Sequence, residues 1–170
     1  MKLVSFEDLF VCLLSDVYSV ENLIVKEMPK MIQKASSNEL KQSLAEHLDE
    51  TKEQIKRLDK VFKLIKQKPC SVEWASDIKN LFKDAEAFLT ENTASPLLDA
   101  AIIAIGQRIE HFEIATYGTL QEFAKVLDYD DEVQDLLEDT LKEEGKADTI
   151  LTKVAEGGMF KKGVNIEANK

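Results

Sequence analysis

Basic clusters, glycine, proline and long apolar runs are all scarce in this sequence, and each scarcity removes a class of protein. Lys and Arg number 22 against 32 Asp and Glu, a formal charge of −10 at pH 7, and the cations are scattered singly. A surface of that sign repels phosphate backbones and anionic headgroups, so neither nucleic acid nor membrane is expected as a partner. No apolar run approaches the roughly 20 residues of a membrane span, and no apolar stretch with a cleavage site opens the chain. A soluble, cytoplasmic protein is therefore expected. Six Gly and three Pro are too few to punctuate a many-stranded sheet or a disordered tail. The two cysteines, Cys12 and Cys70, lack CxxC spacing. Cys12, among Phe10, Val11, Leu13 and Leu14, reads as a small buried hydrophobe, whereas Cys70 follows Pro69 in a linker. Neither needs a disulfide, which agrees with a reducing compartment.

What remains is 44% apolar and 32% charged in 170 residues, enough to bury one core without staples. Ser5 with Asp8 three residues on marks a helix start. The apolar positions that follow, Phe6, Phe10, Leu13, Val17, Ile24 and Met28, are spaced for one helical face. Pro29 predicts a kink or the end of that helix. Ser36 with Glu39 predicts the next start, and Leu40, Leu44, Leu48, Thr51, Ile55, Leu58, Phe62 and Ile65 form its stripe. From Cys70 to Thr93 a shorter pattern through Trp74, Ile78, Leu81, Phe82, Ala85 and Phe88 reads as one or two small helices in a long connection. Ser95–Pro96 opens a third long helix, carrying Leu98, Ile102, Ile105, Ile109, Phe112, Thr116, Leu120 and Phe123 to about Leu127. A fourth begins near Asp130 and stops at Gly157–Gly158. The expected fold is all-α, a ferritin-like four-helix bundle over residues 1–160 with a long crossover between the second and third long helices. The polar residues 161–170 are expected to fray.

Most carboxylates fall on outward faces, but several do not. Glu21 occupies a seam position of the first helix. Glu113 lies on the stripe of the third, between Ile109 and Thr116, with Glu110 at its edge. Glu144 and Asp148 follow the line of Leu137, Leu141 and Leu151 on the fourth. His47 is close to the stripe of the second, with Glu50 and Gln54 on one flank. Buried carboxylates without partners repel one another and are driven towards protonation. A metal ion removes both problems, and carboxylate with some imidazole suits iron or manganese better than zinc. The alternative for Glu110 and Glu113 is pairing with Arg108 or a lysine from another helix; for His47, an interior hydrogen bond.

The segments LLSDVYSVENLI, EHLDETKEQIKRLDKVF, QRIEHFEIATYGTL and DTLKEEGKADTILT resemble, in order and spacing, the YciE/YciF family of ferritin-like bacterial proteins. The resemblance implies a stress-associated helical bundle related to rubrerythrin that tends to form a homodimer. It also implies a site for two iron ions, or manganese, with Glu21, Glu50, Glu110, Glu113 and Glu144 as ligands. The histidines of the wider Glu-x-x-His pattern are missing: Glu53 and Ala147 stand three residues after Glu50 and Glu144. His47 and Asp148 are the substitutes within one turn. Such a protein would handle iron or act on peroxide or oxygen, with Tyr18 and Tyr117 near the metals and an external electron donor. The competing reading is a metal-free helical dimer with a structural or protein-interaction role.

Overall fold

In the computed structural model, which describes residues 3–71, 76–158 and 161–170, Ser5 and Asp8 close the first turn of α1 (Phe6–Lys34) as a reciprocal cap. The Asp8 N–H donates to Ser5 Oγ at 3.0 Å and the Ser5 N–H to Asp8 Oδ2 at 2.9 Å. Of the two outcomes expected at Pro29, the end of the helix does not occur: α1 runs on for five further residues, to Lys34. Pro29 is exposed while Met28 and Met31 beside it are buried, so the lost backbone bond lies on the solvent side and apolar packing holds the turn.

The start of α2 (Asn38–Leu64) is also one residue later than expected. Ser37, not Ser36, is its N-cap, accepting from Leu40 N–H at 3.3 Å. Ser36 is engaged elsewhere, by Asp99 in the first turn of α4 (Pro96–Val126). The Asp99 carboxylate accepts from the Ser36 N–H, the Ser36 hydroxyl and the Ser37 N–H at 2.7, 2.6 and 2.8 Å. One buried acid therefore ties the α1–α2 turn to the far side of the crossover.

Among the described residues the crossover carries one helix, α3 (Ser76–Glu91), which packs on α1 and α4 through Ile78, Phe82, Ala85 and Leu89. Trp74, assigned above to this stretch, lies outside the described residues. α4 starts at Ser95–Pro96 as expected, and α5 (Asp131–Glu156) follows after a tight turn. Gly157 ends α5 at φ 78°, where a Cβ would meet the backbone N of Gly163 at 2.2 Å. The residues beyond do not simply fray. β1 (Gly157–Gly158) pairs antiparallel with β2 (Lys161–Lys162), and α6 (Val164–Ala168) returns to α4 and α5. Val164 is buried there, an apolar anchor for the returning segment.

The four long helices form a square: α1 touches α2, α2 touches α5, α5 touches α4, and α4 touches α1. Its apolar interior is not continuous. One cluster gathers Val20, Ile24, Leu44, Ile102, Ile109 and Leu151, and a second gathers Phe10, Val17, Leu58, Tyr117, Leu120 and Leu137. On every long helix buried polar residues fall between those two sets: Glu21 on α1, His47, Thr51 and Gln54 on α2, Glu110 and Glu113 on α4, Thr140 and Glu144 on α5. A polar layer thus divides the core at mid-height.

Candidate metal centre

The polar layer holds four carboxyl groups and one imidazole with almost no compensating donors. Glu21, Glu113 and Glu144 are 0% exposed and Glu110 is 2% exposed. One ligand atom each from His47, Glu110, Glu113 and Glu144 lies within 4.8 Å of all the others, a spacing that a single cation at its centre could bridge. Glu21 completes the layer from α1, near enough to Glu113 and Glu144 for their charges to act on one another. Burial, and secondly like charge, push the Glu21, Glu113 and Glu144 carboxyls well above the usual carboxylate range. Glu110 is pushed up to about 8, chiefly by burial. Burial holds the His47 imidazole neutral, lowered to about 4.

Seven oxygen and nitrogen atoms of these five side chains have no hydrogen-bond partner: Glu21 Oε2, both His47 ring nitrogens, Glu110 Oε2, both Glu113 oxygens and Glu144 Oε2. His47 Nε2 stands 3.2 Å from Glu110 Oε1, yet without the alignment of a hydrogen bond; the two atoms stand side by side and face a common space. Each buried polar group left in this way costs roughly 1–3 kcal/mol. A cation ligated by the carboxylates and the imidazole would satisfy them, and two divalent ions would balance four carboxylate charges. The residues present fit a metal site on this ground.

The surrounding donors orient the acids without neutralising them. Tyr117, itself fully buried, donates to Glu21 Oε1 at 2.5 Å. Gln54 donates to Glu144 Oε1 at 2.5 Å and to Glu143 Oε2 at 3.2 Å. The Arg57 guanidinium acts on Glu21 only as a minor influence, since Glu143 takes it in a two-pronged pair at 2.5 and 2.7 Å.

Not every acid expected at the centre is there. Glu50 is half-buried and pairs with Lys146 at 3.0 Å. It lines the mouth of a cleft between α2 and α5 that reaches His47 and Glu110. Asp148 turns towards α4, 3.5 Å from Gln107 Nε2 and 3.6 Å from His111 Nε2. Of the two substitutes for the missing histidines, His47 reaches the cluster and Asp148 does not. Tyr18 contacts Phe62 edge-on and hydrogen-bonds Asp59. Gln54, set on a flank beside Glu50 by the sequence, is 0% exposed and belongs to the layer itself, as its spacing from Thr51 and Leu58 signals.

A square of four long helices with one long crossover and acids converging at mid-height is a ferritin-like bundle. Residues 5–165 match the family described as Domain of unknown function (DUF892), and the chain belongs to that family. It is 35% identical to protein YciF of Escherichia coli K12, over 97% of this chain and 99% of that one. The crystal structure of the E. coli stress protein YciF superposes with a TM-score of 0.85 at 32% identity, covering 99% of both chains. YcfI of Rhodopseudomonas palustris, described as a candidate structural protein, matches at TM-score 0.83 and 44% identity over 91% of this chain and 97% of that one. No helix among the described residues is long and apolar enough to cross a membrane.

Proposed function

We propose that this chain is a dimetal-carboxylate protein that binds iron or manganese in the polar layer and serves in stress response, through iron handling or chemistry on peroxide or oxygen. The observation that supports this most is the set of unpartnered buried atoms on Glu21, His47, Glu110, Glu113 and Glu144. A protein that kept those acids only for structure would gain by pairing them, since their desolvation is otherwise uncompensated. Glu110, Glu113, Glu144 and His47, with Glu21 beside them, would hold the ions. Oxygen-rich ligation with a single imidazole suits iron or manganese. Bound there, such ions supply Lewis acidity and one-electron redox chemistry.

The chain's own residues set the conditions for that chemistry. Tyr117 fixes the Glu21 carboxylate, and Gln54 fixes Glu144. The two apolar clusters above and below exclude bulk water. The cleft beside Glu50 and Lys146 gives small species a path, with space of about 20 Å³ for a water-sized molecule. Since no rubredoxin-like cysteine cluster is present, turnover would draw on an external electron donor. A homodimer in the cytoplasm is the assembly and location that fit this reading.

The description of the R. palustris relative as structural favours a second reading, a metal-free helical dimer in which the acids stay protonated. Glu144→Ala separates the two. On the metal reading the substitution abolishes iron or manganese binding, measured by elemental analysis after reconstitution, and lowers thermal stability only when metal is supplied. Equal melting of both proteins with and without metal would overturn the metal reading.

A further inference from the structure

The fold brings the chain's two cysteines together. Cys12 is buried on the side of α1 that faces the connection after α2, and Cys70 lies half-buried in that connection. The two thiols are near enough to share a hydrogen-bonding interaction. Ser15, one turn along α1 from Cys12, keeps them there. Its hydroxyl donates to the Val11 carbonyl at 2.7 Å and so presents only lone pairs towards the connection. It accepts from the Cys70 N–H at 3.1 Å, and the Cys70 Sγ stands 3.4 Å away. A serine whose one proton is committed elsewhere thus holds Cys70 by both its backbone and its thiol.

We propose that Cys12 and Cys70 form an intramolecular, hydroperoxide-driven disulfide that fastens the α2–α3 connection to α1. The half-buried Cys70 reacts first: its sulfur attacks one peroxide oxygen, the O–O bond breaks, and Cys70 becomes a sulfenic acid as water leaves. The Cys12 sulfur then attacks the Cys70 sulfur, the S–S bond forms, and the hydroxide leaves as a second water with the Cys12 proton. In sum two thiols and one hydrogen peroxide give one disulfide and two waters. Burial, and next the Cys70 charge, raise the Cys12 thiol above its ordinary range, which fits a thiol that resolves the sulfenic acid instead of meeting peroxide itself. The disulfide is independent of any metal in the polar layer.

The test treats the full-length reduced protein, stripped of metal by chelation, with a small excess of hydrogen peroxide and follows intact mass. The expected product is lighter by two hydrogen atoms, refuses alkylation at both cysteines, yields a Cys12–Cys70 linked peptide, stays unlinked to other chains, and melts at higher temperature. Ser15→Ala should slow the closure several-fold at unchanged helicity. Cys12→Ala, which keeps a small apolar group in the core, should leave a Cys70 sulfenic acid that a dimedone-type reagent traps. Two alkylatable thiols after treatment, advance of Cys70 to the sulfinic acid in the unmutated protein, or links only between chains would each overturn the proposal. The mass readout needs no variant, so a misfolded mutant leaves the result decisive.

Discussion

Tyr117 and Glu21, from α4 and α1, are joined by a 2.5 Å hydrogen bond in the fully buried centre of the bundle. The phenol is the one donor that reaches the Glu21 carboxyl among the described hydrogen bonds, and Glu21 Oε2 remains without a partner. Tyr117→Phe keeps the ring's packing in the lower apolar cluster and deletes only this donor. The expected cost in the metal-free protein is about 1–3 kcal/mol, a drop of several degrees in Tm. Metal affinity should fall about 10-fold or more, as when a hydrogen-bond partner of a ligand is removed. Calorimetry in chelator, paired with a metal titration, checks both; an unchanged titration would take Glu21 out of the site.

The metal-free protein should lose stability as pH rises from 6.5 to 8. Glu110 has an ordinary value of 4.5 and is pushed up to about 8 by burial. The folded state therefore holds its proton more tightly than the unfolded chain does. That contribution is complete below 4.5 and is lost as pH climbs through 8. His47 acts in the opposite sense, being lowered from 6.5 to about 4: its contribution is present above 6.5 and is lost on acidification. Between 6.5 and 8 the Glu110 contribution outlasts any change at His47, and Glu21, Glu113 and Glu144 lean the same way as Glu110. A melting series in chelator should show Tm falling by several degrees across that window. With metal present the trend should reverse, because ligands must lose their protons to bind.

The polar layer was partly legible because helical phase alone sets an acid on or off an apolar stripe. Glu21, Glu113 and Glu144 interrupt runs of buried residues, and all three are 0% exposed. The margins were less legible. On α5 the buried line is Leu137, Thr140, Glu144, Ala147 and Leu151, in which a threonine and an alanine carry little hydrophobic signal. Leu141 drew the stripe to one side and carried Asp148 with it. On α2 His47 and Glu50 are three residues apart, an angular difference that periodicity alone does not resolve, and only the packing against α5 sends Glu50 to Lys146. The fold was read from its breaks, Ser95–Pro96 and the long crossover. The α2 cap was placed one residue early because Ser36 answers to Asp99, 63 positions away, and no local pattern carries that contact.

Asp99 permits a prediction that separates stability from the metal site. Its carboxylate receives three hydrogen bonds from Ser36 and Ser37, and it is 1% exposed. Asp99→Ala leaves two backbone N–H groups and a hydroxyl without their acceptor in the α1–α2 turn. A loss of about 2–4 kcal/mol is expected, or roughly 5–15 °C in Tm. Metal stoichiometry at a temperature where the variant is folded should be unchanged, since the turn lies at the end of the bundle and the acids at its middle. Chemical denaturation and elemental analysis of the same sample test the two halves together.

Glu113 carries the sharpest charge argument, because neither of its oxygens has a hydrogen-bond partner and burial, then the charges of Glu21, Glu144 and Glu110, raise its proton affinity. Glu113→Gln preserves shape and removes the charge. In chelator at pH 8 the variant should melt at the same temperature as the unmutated protein or several degrees higher, since one source of repulsion in the layer is gone. With iron or manganese supplied the order should invert: a neutral amide is a poor substitute for a carboxylate ligand, and affinity should fall roughly 100-fold or more. The crossing of the two melting orders identifies the site, because a structural acid would give the same sign in both conditions. A variant less stable in chelator as well would mean that Glu113 is satisfied by something other than metal, and the dimetal reading would fall with it.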